Sequence, residues 1–240
     1  MSAKRVGEME QARRFCRRLF HRVYHPYALR QLAKPVTRLR GRTLLTDPEV
    51  FHPVYFLSTP VFLDYLSTVA VAGKRLLDMG TGSGTVGIFA AGRGAQVTAC
   101  DINPRAVALA GANARRNGVE MEVLGSDLFS SLAGRRFDII CFNLPFFAGQ
   151  PRSTFEHAFF GGQDFETIRA FANGCRQALA PGGTVAVIFS EDSGHDRIMS
   201  CFADAGFVTA DERTAHKYFE RFHLLRLEIP ASAAPAEQHG

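Results

Sequence analysis

From Lys74 onward the apolar positions of the chain alternate between two rhythms. Short apolar runs at Arg75–Met79, Gln96–Cys100, Glu120–Leu124, Phe137–Phe142 and Thr184–Phe189 have the length and composition of strands buried on both faces. Between them lie stretches with helical spacing, notably Pro104–Arg116 and Phe165–Leu179. Asn117-Gly118 and Pro181-Gly182-Gly183 supply the stops expected where a helix ends and a strand begins. Such alternation predicts an α/β fold with a parallel, doubly wound sheet. The pattern changes at the end, where Val208–His216 and Phe222–Ile229 read as two strands joined by a turn near Lys217–Arg221. The sheet is therefore expected to close with an antiparallel hairpin.

The N-terminal segment follows a different rule. Met9, Ala12, Cys16, Leu19, Phe20 and Val23 recur at helical spacing, while Arg13, Arg14, Arg17, Arg18 and Arg22 fill the other faces. This predicts a short basic amphipathic helix. The stretch from Tyr24 to Asp47, with Pro26, Pro35 and scattered Arg, reads as a linker, and the Ala/Pro-rich end reads as disordered. The expected organisation is an arm and linker over 1–46, a catalytic domain over 47–230 and a tail over 231–240.

Charge sharpens this division. The net charge of +5 conceals 12 Lys and Arg against 2 acids in residues 1–46, and 16 against 21 in the remainder. The basic arm suits a phosphate backbone, an acidic partner or a membrane surface, and equally suits a docking helix with a solvated outer face. No apolar run approaches the ~20 residues of a membrane span, so a soluble, cytoplasmic protein is expected. Five cysteines, odd in number and without C-x-x-C spacing, argue against disulfide and zinc frameworks, and no metal site is read from the sequence.

The chemistry is concentrated at the predicted strand ends. "LLDMGTGSGTVG" follows the first strand, and Gly80, Gly82 and Gly84 allow a tight turn with close ligand approach. Gly82-x-Gly84-x-x-Gly87 also satisfies a dinucleotide fingerprint, which makes a nicotinamide-dependent oxidoreductase the alternative from another class. Asp78 just before the glycines disfavours a pyrophosphate and suits an ammonium group. Asp101 ends the second strand, where a carboxylate can accept ribose hydroxyls, and Asp127 in "GSDLF" ends the third, near an adenine amine. Each Asp taken singly also reads as a helix cap. Together they describe S-adenosylmethionine.

The series "LLDMGTGSG", "ACDINPRAV", "GSDLF" and "IICFNLPF" resembles the motifs of class I S-adenosylmethionine-dependent methyltransferases, over roughly Phe51 to Ile229. The resemblance implies a Rossmann-like, seven-stranded sheet with an antiparallel last strand. It implies that Gly80, Gly82 and Gly84 line the methionine moiety, that Asp101 with Ile102 holds the ribose side, and that Asp127 and Leu128 border the adenine. "NLPF" is similar to the Asn-Pro-Pro-Tyr/Phe tetrapeptide of enzymes that methylate planar nitrogens, including the HemK-like protein glutamine methyltransferases and several base amino methyltransferases. By that likeness the Asn143 side-chain oxygen and the Leu144 carbonyl accept the two N–H groups of the acceptor and Phe146 offers a flat face, with Pro145 counted in the same catalytic motif. Leu144 departs from the motif by replacing its first Pro.

"HAFFGGQDFETI" resembles the "AL-x-GG-x-DG" stretch of the HemK-like group, with Gly161, Gly162 and Asp164 matching. Ser58 and Thr59 are expected to cap a helix beginning near Pro60, with a bond to the cofactor carboxylate as the other reading. His52 reads as a packing residue. The expected activity is N-methylation of a protein glutamine amide or a similar nitrogen. The alternatives are a nucleic-acid base bound with help from the basic arm, or a small molecule.

Overall fold

The computed structural model describes residues 34–217 and 220–230. The predicted N-terminal helix and the tail lie outside these residues. Seven strands form one sheet: β3 (Arg75–Met79), β4 (Gln96–Asp101), β5 (Glu122–Gly125), β6 (Phe137–Asn143), β7 (Leu179–Ser190), β8 (Val208–Lys217) and β9 (Glu220–Glu228). Their order is β5-β4-β3-β6-β7-β9-β8, parallel from β5 through β7 and antiparallel at β7–β9 and β9–β8. Five α-helices are described: α1 (Ser58–Thr68), α2 (Thr85–Ala91), α3 (Pro104–Arg116), α4 (Glu166–Ala178) and α5 (His195–Asp204).

Strand alternation sends side chains into two cores. Leu77, Met79, Ile140, Phe142, Val185 and Val187 point to the side covered by α4 and α5, where Phe171 and Phe202 are fully buried. Leu76, Ile139, Cys141, Ala186 and Ile188 point to the other side, against Phe62 and Leu66 of α1 and Val86 and Ala90 of α2. Burial on both faces is why these strands lack a polar alternation. Truncating a side chain such as Phe171 to Ala is expected to cost about 3–5 kcal/mol.

The segment read as a linker contains structure. Val36–Leu39 (β1) and Arg42–Leu45 (β2) form a hairpin whose two-residue turn, Arg40-Gly41, has φ of 49° and 75°. Positive φ at both turn residues matches the strand twist. The outer edge of β2 is satisfied by side chains rather than by a strand. Asn113 accepts from the Leu45 N–H at 2.6 Å and donates to the Leu45 carbonyl at 3.1 Å. One helical turn further on, Asn117 does the same for Thr43, at 3.2 and 3.0 Å. Asn113 also donates to the Ser83 carbonyl at 2.8 Å, so the hairpin, α3 and the loop after β3 are tied together.

Candidate active site

The chain runs outward from β3 to β5 and then returns to β6 on the other side of β3. Loops diverge at that switch point, and a crevice opens at the carboxyl ends of the strands. A cavity of about 400 Å³ lies there, its wall including Asp78, Gly80, Gly82, Asp101, Ile102, Asp127, Leu128, Asn143 and Pro145. A wider, open groove of about 1510 Å³ lies at the amino ends, lined by Gly, Ala and charges of both signs. Its lining among the described residues has no set of acids converging from the carboxyl ends of strands, as the smaller cavity has.

The turn after β3 shapes one wall. Gly80, Gly82 and Gly84 have φ of 60°, 55° and 82°. A Cβ on Gly80 would stand 2.6 Å from the Phe142 ring, so a side chain at this position clashes as well as straining the backbone. Gly84 starts α2 and packs against Ala110 of α3, away from the cavity wall.

Two carboxylates brace this turn from below. One Asp78 oxygen accepts from the Thr81 hydroxyl at 2.6 Å and from the Gly87 N–H at 2.9 Å. Burial pushes the Asp78 carboxyl up to about 7, against the opposing pull of these two hydrogen bonds. The Asp101 oxygens accept from Gly82 N–H and Asn103 N–H, both at 2.9 Å. Burial raises the Asp101 pKa as well, opposed by its backbone hydrogen bonds and by nearby His157. Each carboxylate oxygen has two lone pairs, so Asp101 keeps acceptor capacity facing the cavity.

The far wall is finished by exposed Asp127, by Leu128, which holds φ of 45°, and by Ile102, 40% exposed. A left-handed backbone at a non-glycine residue is a strained feature typical of ligand sites.

The wall beside the end of β6 is built differently. Asn143 is the last residue of β6, and its side-chain amide donates to the Ser58 Oγ at 3.0 Å. Its Oδ1 is buried without a hydrogen-bond partner among the described residues. The expectation that Ser58 caps α1 is thus corrected: α1 has no side-chain cap, and the hydroxyl instead fixes Asn143. Thr59 reaches the cavity wall. Beyond Asn143, the Leu144 N–H donates to the Ile188 carbonyl at 3.0 Å and the Leu144 side chain is buried in the core. Pro145 is on the wall. Phe146 packs on the core and edge-on to Phe147, 4.9 Å between centroids, and its ring is not part of the wall.

The Gly-Gly motif holds this loop. Phe147 N–H donates to the Phe159 carbonyl at 2.8 Å, Gly161 N–H to the Phe147 carbonyl at 3.0 Å, and Gly149 and Gly162 exchange two bonds at 3.0 and 3.1 Å. A Cβ on Gly161 would meet the Pro145 carbonyl oxygen at 2.5 Å, which explains the glycine by close backbone approach. Asp164 is not on the cavity wall; it is exposed and pairs with Arg197 at 3.1 Å.

Sequence reading missed one part of the wall. Thr154, Phe155, His157 and Ala158, in and beside a short 3-10 turn, close one side of the cavity, and Phe51, in the segment before α1, closes it as well. Phe51, Phe56, Phe155 and Phe159 form a continuous aromatic group, with centroids 4.3–5.7 Å apart. The density of Phe between 147 and 160 was the available signal. His52, as expected, packs: its Nδ1 accepts from Tyr55 N–H at 3.0 Å and Val54 N–H at 3.3 Å, and burial lowers its pKa.

Residues 41–214 match the family described as methyltransferase small domain. The chain belongs to that family. It is an S-adenosylmethionine-dependent methyltransferase, and the oxidoreductase alternative is set aside. The chain is 32% identical over 178 residues, 72% of its length and 88% of the other, to a Methanocaldococcus jannaschii protein named for N5-glutamine methylation of proteins. It is 31% identical over 181 residues to the ribosomal RNA small subunit methyltransferase C of Chromohalobacter salexigens, 74% of this chain but about half (51%) of that one. Among solved structures, the Thermus thermophilus 16S rRNA N2 G1207 methyltransferase in complex with AdoMet and guanosine superposes with a TM-score of 0.62 at 21% identity, over 81% of this chain and 50% of that one. The doubly wound sheet with its antiparallel hairpin is thus a Rossmann-like methyltransferase fold. No helix among the described residues is long and apolar enough to cross a membrane.

Proposed function

We propose that this methyltransferase acts on a planar nitrogen, and on a protein side-chain amide in particular. The observation that carries the reading is Asn143 Oδ1, a buried acceptor with no partner among the described residues, on a residue of the cavity wall. An unpaired buried acceptor costs about 1–3 kcal/mol, which an incoming N–H group recovers. An amide or exocyclic amine attacks poorly because its lone pair is delocalised, so its orientation decides the rate. Asn143 Oδ1 takes one N–H and the Leu144 carbonyl the other, which aims the lone pair and favours positive charge as it grows on nitrogen. No strong base is needed, since the cationic nitrogen sheds its proton readily.

S-adenosylmethionine, when bound, supplies the electrophilic methyl group. Asp101 is proposed to hold the ribose hydroxyls, Asp78 the ammonium group, Asp127 the adenine amine, and Ile102 and Leu128 the adenine faces. The cavity fits these roles in its acids, its volume and its close-approach glycine turn.

The charge of the wall favours a protein over a nucleic acid. Among the described residues Glu49, Asp78, Asp101, Asp127 and Glu166 line it while no Lys or Arg does, and such a wall repels a phosphate backbone. The M. jannaschii relative supports the same choice. A base amino group is the second reading, favoured by the rRNA-modifying relative and by the Arg-rich N-terminal segment. A cytoplasmic location belongs to the proposal and suits the free thiols of Cys100, Cys141, Cys175 and Cys201. Incubating the enzyme with isotopically labelled cofactor and either a cell protein extract or ribosomal RNA separates the two. Label in glutamine-containing peptides is expected; label confined to RNA would replace the first reading by the second.

A further inference from the structure

At the antiparallel end of the sheet, far in sequence from the strand-end acids, three metal-ligating side chains converge from three elements. His195 is the first residue of α5, Glu212 lies on β8 and His223 on β9. Glu212 faces Leu225 and Thr214 faces His223 in the β8–β9 register, so Glu212 and His223 are diagonal neighbours on one face. Glu212 Oε1 lies 3.2 Å from His195 Nε2 and 2.8 Å from His223 Nδ1. One ligand atom from each residue falls within 4.8 Å of the other two, the only such group of three among the described residues.

We propose that His195, Glu212 and His223 form a binding site for a divalent transition-metal ion, zinc by the chemistry of the donors. Two imidazole nitrogens with one carboxylate select zinc and its neighbours over magnesium or calcium, which prefer oxygen alone. Zinc bonds of ~2.0–2.2 Å in a tetrahedron place adjacent ligand atoms about 3.4 Å apart. The observed separations need only small side-chain movements to reach that spacing.

The rings are already held. His195 Nδ1 lies 3.2 Å from Asp196 Oδ1, which leaves Nε2 toward the site, the carboxylate–histidine arrangement that orients metal ligands. The His223 ring is stacked on Phe189, 5.5 Å between centroids and 18° between planes, and lies 4.7 Å from the His195 ring. The corner also keeps polar atoms unpaired among the described residues: His223 Nε2 and the nearby Ser193 Oγ are both buried without partners there. His195 and Glu212 side chains are 31% and 37% exposed, so an ion can enter from solvent and water can complete the coordination. An ion here would clip α5 to the terminal hairpin. The ligands are 17 and 11 residues apart, which is why no spacing motif announced them.

Zinc titrated calorimetrically into the full-length, metal-free chain, with any affinity tag removed, tests the proposal. One-to-one saturable binding and a melting temperature that rises with zinc are expected. His195→Gln and Glu212→Gln, both at partly exposed positions, are each expected to weaken zinc binding tenfold or more while S-adenosylmethionine binding stays unchanged as the check on folding. Absence of saturable binding in the wild type, or unchanged zinc affinity in both variants, overturns the site and leaves a hydrogen-bonded His–Glu–His cluster.

Discussion

The two ends of the cavity are finished to different degrees. At the end proposed for the cofactor, Asp78 and Asp101 already accept two hydrogen bonds each from the Gly-rich turn and its surroundings, so that wall is assembled before any ligand arrives. At the end proposed for the acceptor, Asn143 is held through its amide nitrogen by Ser58 and its oxygen has no partner among the described residues. The contrast separates two tasks. A bound cofactor needs a rigid cradle, whereas a nucleophile is best met by an oriented group whose hydrogen bond is completed only when the substrate is present. Perturbing the first end should change affinity, and perturbing the second should change rate.

The largest effect is expected from Asn143→Ala, whose methyl-transfer kcat should fall by roughly 100-fold or more with cofactor affinity retained. Calorimetry beside single-turnover kinetics would show the split; a loss of cofactor binding instead would erase the division between the two ends. Asp101→Ala should do the reverse, weakening S-adenosylmethionine by about 100-fold, since each hydrogen bond to a charged group contributes about 1.5–3 kcal/mol. Unchanged affinity in that variant would remove Asp101 from the cofactor wall.

A smaller effect should come from pH. The folded-state pKa of Asp78 is raised from 3.8 to about 7, so the stability this group contributes to the cofactor-free protein is fully present below about pH 4 and lost as pH rises through 7. A cationic ammonium prefers the ionised carboxylate, so cofactor affinity should move the opposite way. It should strengthen about tenfold from pH 6 to pH 8, following the ionised fraction of a group with that pKa. Asp78→Asn should flatten the profile, and a wild-type profile flat over this range would contradict contact between Asp78 and the ammonium. Smallest is Ser58→Ala, which frees the Asn143 amide to rotate. A fall in kcat of a few-fold is expected, with the Michaelis constant for S-adenosylmethionine unaltered; a full loss of activity would point to a direct role for the hydroxyl.

Legibility in the sequence follows the range of the interactions. Strands β3, β4 and β6 were readable because burial on both faces writes continuous apolar runs, and the acids at the strand ends follow directly from a parallel sheet; of the terminal hairpin only β9 carries such a run, β8 being mostly exposed along its length. The β1–β2 hairpin was not readable. Its strands are short, its turn uses Arg40 at positive φ, and its edge is paired by Asn113 and Asn117, some 70 residues later. The Ser58–Asn143 bond spans 85 residues and leaves no local mark, so Ser58 read as a cap. The Gly161 and Gly162 match was visible as a motif, but its reason, close approach to the Pro145 carbonyl and pairing with the loop of Phe147 and Gly149, needed the third dimension.

The central claim, that Asn143 Oδ1 orients a planar nitrogen, is tested most directly by identifying the atom that receives the methyl group. Product formed with isotopically labelled S-adenosylmethionine, isolated from whichever acceptor takes the label and fragmented by mass spectrometry, should carry the methyl on an amide or amine nitrogen. A methyl on oxygen or carbon would contradict the role given to Asn143 and to the loop that follows it.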